Sequence, residues 1–446
     1  MSTQKSILFS IALFACIFSG AQQRSFKFDF GTANASAGYV PVTPASNYDD
    51  ATGYGFLNRP QVATVLRGKK KNVSSDFITS SKPFFFSVKL PEGNYDVTIT
   101  LGDRKGTSAT TVRAECRRLF LHNVRSNPGE IIRETFTVHV KDSFIRNDDG
   151  TVDKVKLKER ELRYFHWDNQ LTLEFNDSAA KVCALEIIPN KKTTTLFLAG
   201  NSTVVDQDKE PWASWGQIIP SFFKGKKIAV ANYAESGEAL RSFRSGKRLK
   251  KILSLMKTGD YLFIEFGHND QKSKGEGIGP FTSYKTDLNY FIDETKKKGG
   301  IPVLVTSMHR RSFDATGRII NTLLEYPEAV RETAKEENVA LIDLNAMSKT
   351  MYEAWGPKES IKAFVHYPAN TFPGQATKLE DNTHFNTYGA YAIARCIAKG
   401  IKDNNLPIAA YLKPEFRTFD PARPYPEAQW YWPQSILLAA EKPDGN

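Results

Sequence analysis

Between residues 26 and 189 the apolar positions fall in short alternating or aromatic-rich runs, the period of strands with one buried face. Phe26-Lys27-Phe28-Asp29-Phe30, Phe84 to Leu90, Tyr95 to Leu101, Glu134 to Val140 and Leu171 to Phe175 are the clearest of them. Turn residues separate the runs, as in Pro91-Glu92-Gly93-Asn94 and Asp148-Asp149-Gly150, and no long helical period intervenes. The pattern predicts an all-β sandwich over 25–190.

Near Pro189-Asn190-Lys191-Lys192 the pattern changes to strand, loop and helix in repetition. Buried strands are expected at Thr194 to Ala199, Ile228 to Tyr233, Tyr261 to Phe266, Ile301 to Thr306 and Val339 to Leu344. Between them Phe281, Tyr284, Leu288, Phe291 and Thr295 share one helical face, and Ala390, Ile393, Ala394, Ile397 and Ile401 share another. Strands alternating with helices imply a parallel sheet covered on both sides, so 193–405 reads as a flavodoxin-like three-layer α/β/α sandwich. From Leu406 to Asn446 the chain is rich in proline and aromatics, and it reads as a tail packing on the body. The sharper alternative makes Trp430-Tyr431-Trp432 a platform for stacking sugars.

The first residues have their own order. Lys5 precedes the apolar run Ile7 to Phe18, and Ser19-Gly20-Ala21 offers small residues for cleavage, so 1–21 is expected to be a secretory signal peptide. The run is too short to span a bilayer. The protein is therefore expected to be exported, periplasmic or secreted from a bacterium, and not membrane-bound after cleavage. Removing the signal takes Cys16 and leaves Cys116, Cys183 and Cys396, an odd count that argues against a disulfide framework. Cys183 and Cys396 read as core, and a Cys116–Cys183 pair stays open. No Cys-x-x-Cys or His-Glu-x-x-His spacing occurs, so no metal site is legible, although the Asp49-Asp50 loop leaves one open.

The formal net charge is +11, with basic clusters at Lys69 to Lys71, Lys224 to Lys227, Arg241 to Lys251 and Lys296 to Lys298. No nucleic-acid motif accompanies them, and in an exported chain a polyanionic substrate suits the charge better. Each cluster taken alone reads as a solvated face.

Ligands of open parallel sheets bind beyond the carboxyl ends of the strands, and four fragments are delivered to that edge. Ser202 follows the glycine of the first strand, Gly237 follows the second strand, Asn269 ends the third, and His384 precedes the last helix. A serine is inert without an oriented base, so Ser202 as nucleophile needs His384 as base and Asp381, three residues earlier, to fix the imidazole. An acyl transfer also needs oxyanion donors, which the backbone N–H groups of Ser202 and Gly237 and the side chain of Asn269 can supply. His268 and Asp270 are read as ordering their loop. Val204 stands where a Gly-x-Ser-x-Gly elbow requires glycine, so the α/β-hydrolase elbow is not indicated. Asn201-Ser202-Thr203 is also a formal glycosylation sequon, and the catalytic reading requires that it stay unmodified.

Assembled, Leu198-Ala199-Gly200-Asn201-Ser202-Thr203-Val204-Val205-Asp206, Asn232 to Gly237, Glu265 to Gln271 and Asp381-Asn382-Thr383-His384-Phe385 resemble the blocks of the SGNH (GDSL-like) hydrolases, closest to the rhamnogalacturonan acetylesterase branch. The resemblance implies a serine esterase without a cofactor, with nucleophile Ser202, base His384, orienting Asp381 and oxyanion donors Ser202, Gly237 and Asn269. Asn201 departs from the family, which often has Asp there. Met308-His309-Arg310-Arg311 looks like the substrate-side loop of the branch, with His309, Arg310 and Arg311 as candidate substrate contacts and structural salt bridges as the competing reading of the arginines. Phe28-Asp29-Phe30-Gly31 and Leu90 to Asp96 resemble galactose-binding-like sandwiches. The implied partner is acetylated pectic polysaccharide, with no nucleic acid. Acetylated xylan, another acyl ester or non-catalytic sugar binding are the other readings.

Overall fold

In the computed structural model, which describes residues 25–68 and 72–439, the first region folds as two sheets that share one strand. The expected signal segment and Lys69 to Lys71 lie outside the described residues. The shared strand is Gln170–Pro189. Its first half pairs antiparallel with Phe84–Lys89 and Ser108–Ala114, and its second half with Phe26–Phe30 and Gly93–Gly102. The handover falls where the register slips between Asn176 and Ala179, at Asp177 with φ +116°. A bulge bends and twists its strand, which lets one chain segment serve both sheets. Phe28, Phe30, Phe86, Ile99, Leu173 and Phe175 fill the space between them. The residues that carry the sandwich resemblance are structural in their contacts. Asp29 accepts the Ser36 N–H at 2.7 Å, and the Tyr95 hydroxyl donates to Pro91 O at 2.8 Å.

The second region is a parallel sheet of β1 (Thr194–Gly200), β2 (Ile228–Asn232), β3 (Tyr261–Glu265), β4 (Ile301–Val305) and β5 (Ala340–Ile342). Their order is β2-β1-β3-β4-β5, with every neighbour parallel. β5 is shorter than its apolar run because Asp343 already caps the next helix, its side chain accepting the Ala346 N–H. The helices are α1 (Trp215–Ile218), α2 (Leu240–Ser245), α3 (Arg248–Leu255), α4 (Lys285–Lys297), α5 (Tyr326–Glu336), α6 (Leu344–Glu359) and α7 (Thr387–Asp403). Successive strand residues point to opposite faces. Leu196 and Leu198 accordingly pack with α1, α6 and α7, whereas Phe197 and Ala199 pack with α2 to α5. Phe281 does not join the buried face of α4. Residues Pro280–Tyr284 form a wider π-helical turn that rotates Phe281 outward to 40% exposure.

The two regions form one continuous sheet. Ile131–Val140 lies parallel to β2 through the pair Val138 and Val230. Buried cations cross the same junction. The Arg118 guanidinium donates to Val230 O at 3.2 Å and His139 O at 3.0 Å and stands 3.1 Å from the Asp206 carboxylate. Lys141 donates to Asn232 O at 2.6 Å, and Arg117 to Trp212 O at 3.0 Å.

The tail wraps the body, and its aromatic rings are used in doing so. Trp430 stacks on Tyr391 at 4.3 Å and lies 4.7 Å from the His122 ring, and its indole N–H donates to Thr387. Trp432 donates to Glu210, with Arg113 4.0 Å from its ring centroid. One open question is answered and one further expectation is corrected. Cys116, Cys183 and Cys396 are all free and buried, so the Cys116–Cys183 pair does not form. Arg248 and Lys251 of the basic cluster are buried, not solvated, because Glu161 pairs with the first and Glu92 and Asp142 with the second.

Candidate active site

The nucleophile's turn follows from the end of β1. Gly200 closes the strand, and the Asn201 side-chain oxygen accepts the Thr203 N–H at 3.0 Å, an Asx turn that presents Ser202 at the sheet edge. Asn201 Oδ1 also lies 2.9 Å from the Thr203 hydroxyl, so asparagine does the turn-forming work of the aspartate more usual in the resemblance. Its amide nitrogen has no hydrogen-bond partner among the described residues. The Thr203 hydroxyl meets Glu265 Oε1 at 3.0 Å, and Trp215 donates to Glu265 Oε2 at 2.6 Å. Burial pushes the Glu265 carboxyl up to about 7.

Asp381 and His384 arrive on a two-stranded hairpin, Phe364–Tyr367 with Leu379–Phe385. In a regular strand, residues three apart face opposite sides. Here the register jumps, Phe364 opposing Phe385 while Val365 opposes Asp381, so 382–384 loop out. The loop lets the base turn back toward its carboxylate. Asp381 Oδ2 lies 2.7 Å from His384 Nδ1, and Asp381 Oδ1 accepts the backbone N–H groups of Thr383 and His384 at 2.9 and 3.0 Å. Burial alone would raise this carboxyl, but the bonds from His384 and the two amides hold it well below the usual carboxylate range. An ionised carboxylate only accepts, so Nδ1 carries the ring hydrogen and Nε2 is left to accept. Nε2 lies 2.8 Å from Ser202 Oγ. All three side chains are buried.

Gly237 lies on the loop after β2 with φ +82°, a region glycine enters at no steric cost. The Asn269 amide donates to Glu238 O at 3.0 Å, joining the loop after β3 to the Gly237 loop. Its second amide hydrogen remains available. Asp270 reinforces that join by accepting the N–H groups of Leu240 and Gly267 at 2.9 and 2.8 Å. Burial pushes its carboxyl up to about 7. His268 is buried, and burial, with the Arg310 charge, keeps its imidazole well below its ordinary value.

His309, Arg310 and Arg311 are not loose groups. His309 is buried, its backbone N–H donating to Ser348 Oγ at 3.0 Å. Arg310 reaches Thr322 O and His268 O at 3.4 Å each. The Arg311 guanidinium binds Ser360 Oγ, Asn382 Oδ1 and Pro357 O, and its backbone N–H donates to Asn382 O at 2.8 Å. Arg311 braces the loop that carries the base, whereas Arg310 ties its own loop to Thr322 and His268; both act through hydrogen bonds, not the salt bridges weighed from sequence. Thr203, Glu265 and Trp215 were missed as a support for the nucleophile turn, because a buried glutamate at a strand end has no spacing signature. Among the described residues no group of three His, Cys, Asp or Glu is placed to hold a metal ion, and Asp49 instead caps its own turn through Ala51.

Comparison with known proteins identifies the family of each region. Residues 198–390 match the GDSL-like Lipase/Acylhydrolase family, and 26–145 match the Beta-agarase/YXIM esterase-like, galactose-binding domain-like family. The rhamnogalacturonan acetylesterase RhgT of Bacillus subtilis is 43% identical over 50% of this chain and 95% of its own. The uncharacterized esterase YxiM of the same organism is 27% identical over 86% of this chain and 92% of its own. The crystal structure of YxiM covers 86% of this chain and 99% of that one at 26% identity and a TM-score of 0.44. With its nucleophile turn, base hairpin and preceding β-sandwich, the chain belongs to the GDSL-like lipase/acylhydrolase family and is an esterase with an N-terminal galactose-binding-like domain.

Proposed function

We propose that this esterase removes O-acetyl groups from pectic rhamnogalacturonan outside the cytoplasm, through an acetyl-enzyme on Ser202. The observation that carries the reading is the unbroken chain from Ser202 Oγ through His384 to Asp381, at 2.8 and 2.7 Å. As Ser202 attacks the acetyl carbonyl, His384 takes its proton and Asp381 stabilises the imidazolium. Negative charge on the carbonyl oxygen is met by the N–H groups of Ser202 and Gly237 and the amide of Asn269. His384 then protonates the departing sugar hydroxyl, activates a water against the acetyl-enzyme, and acetate leaves. No cofactor enters these steps.

The sugar part of the reading is supported by the relative named a rhamnogalacturonan acetylesterase, the galactose-binding-like match and the basic charge. A groove of about 490 Å³ is lined by Tyr367, Phe372, Asn386, Tyr388 and Trp432 among others, with none of Ser202, Gly237, Asn269, Asp381 or His384 in its walls. That volume is within the roughly 300–1,000 Å³ typical of small-ligand sites, and aromatic walls with amide edges suit pyranose rings. Acetate release from acetylated rhamnogalacturonan and from acetylated xylan tests the substrate. The reading predicts a preference in kcat/KM of roughly tenfold or more for rhamnogalacturonan, equivalent to about 1.4 kcal/mol of transition-state discrimination. Equal rates or a xylan preference would overturn it.

A further inference from the structure

The segment that joins the two family matches, 146–197, is covered by neither of them, yet it grips the loop that holds Gly237. Within it Glu159–Arg163 forms a single 3-10 turn. The Arg160 guanidinium donates to Ser236 O at 2.8 Å and to the buried Glu235 carboxylate at 2.6 and 3.0 Å. Lys158 Nζ also donates to Ser236 O and lies 3.1 Å from the Glu238 carboxylate. Glu161, next to Arg160 in the chain, is buried and paired with Arg248 on α3, which fixes the segment to the hydrolase domain.

Ser236 O and the Gly237 N–H belong to one peptide unit. In a planar trans peptide the two point in opposite directions, so fixing the carbonyl aims the N–H. A peptide followed by a glycine at φ +82° is free to rotate as a unit, because glycine tolerates the φ values on either side of such a flip. Two cations on the carbonyl oxygen oppose that rotation. They also polarise the amide and make its N–H a stronger donor.

We infer that Lys158 and Arg160 are positioning residues for acyl transfer: by holding Ser236 O they keep the Gly237 N–H turned toward the oxyanion. The inference rests on the esterase reading above. It gives the junction segment a role in the chemical step that is separate from any sugar binding by the β-sandwich. Such a grip acts on charge that exists only in the transition state, so its loss lowers kcat and leaves KM nearly unchanged.

The test uses the full chain with 4-nitrophenyl acetate and acetylated pectin fragments, comparing wild type with Arg160→Gln, Lys158→Met and the double Lys158→Met/Arg160→Gln. One hydrogen bond to Ser236 O survives in each single variant, so each is expected to lose about tenfold in kcat. The double variant is expected to lose roughly a hundredfold or more, the scale of one oxyanion donor, with KM within about twofold. Phosphonylation of Ser202 by a fluorophosphonate, which also builds negative oxygen, should slow in parallel. Thermal unfolding of each variant separates this from misfolding, and Arg160→Lys, which retains a cationic donor, should recover most of the rate. A folded double variant with wild-type kcat would overturn the inference while leaving the esterase reading intact. Equal loss in kcat and rise in KM would overturn it in favour of a binding role. A wild type without ester hydrolysis would overturn both.

Discussion

Replacing Arg118 with methionine keeps most of its aliphatic stem and deletes the guanidinium at the junction of the two regions. Arg118 is 1% exposed, and the change removes the donor to Val230 O and His139 O and the cation 3.1 Å from Asp206. Asp206 retains one hydrogen bond, from Asn232 Nδ2 at 2.8 Å, which is too little for a buried charge. Removing one partner of a buried ion pair costs about 3–5 kcal/mol, against a total stability of roughly 5–15 kcal/mol. At roughly 2–4 °C per kcal/mol for a domain of this size, the hydrolase transition should fall by about 6–20 °C in calorimetry. The pH dependence marks buried carboxylates as the cause, Asp206 and, 3.9 Å from the same guanidinium, Glu115. Burial already raises the Asp206 carboxyl, and Arg118 is the first group opposing that rise. Without it the folded pKa climbs further above the unfolded value, so the folded state binds the extra proton and gains stability as pH falls. The deficit should therefore be larger at pH 8 than at pH 5.5, and Arg118→Met/Asp206→Asn should regain about half of it or more. A transition within about 2 °C of wild type, or a deficit independent of pH, would refute the reasoning.

Asp381→Asn should lower kcat by roughly 10³–10⁴-fold with the fold intact, because the amide no longer enforces the Nδ1–H tautomer; steady-state kinetics and circular dichroism check the two halves. The wild-type Asp381 carboxyl is depressed, so its contribution to stability is full above about pH 4 and lost as pH falls through the folded value; the variant should lack that acid-limb loss. Glu265 is raised to about 7, so its contribution is present at low pH and lost as pH rises toward 7; in thermal scans Glu265→Gln should gain on wild type from pH 5 to about 7 and level off above it. Expressed alone, residues 193–446 should fail to give a cooperative calorimetric transition, because the fragment lacks the donors Arg117, Arg118 and Lys141 that satisfy Trp212 O, Val230 O and Asn232 O.

The parts of this structure that were legible in sequence are those written in local period and composition. The strands β1 to β4 stand out because they are continuous apolar runs, and the flavodoxin-like order of the sheet follows from their alternation with helices. Ser202, Asp381 and His384 were legible because strand ends converge on one edge. What escaped notice depends on distant register. Leu171 to Phe175 was read as a short strand, whereas the strand continues to Pro189 across a bulge that interrupts the alternation. The fusion of two domains into one sheet rests on the single pair Val138 and Val230, which leaves no local trace. Arg248 and Lys251 looked like surface charge because their partners lie far away in sequence: Glu161, Glu92 and Asp142. Lys158 and Arg160 were passed over for the same reason. Their partner is a backbone oxygen, which sequence cannot reveal.

The central claim is that Ser202 carries the acyl group. Rapid acid quenching of the enzyme during turnover of an activated acetyl ester, followed by peptide mass spectrometry, tests it most directly. One acetyl group should be found on the peptide containing Ser202, and none on that peptide in Ser202→Ala, which should also release no acetate above background. Acetate release by Ser202→Ala at the wild-type rate, or an acetyl group trapped on another residue, would contradict the account.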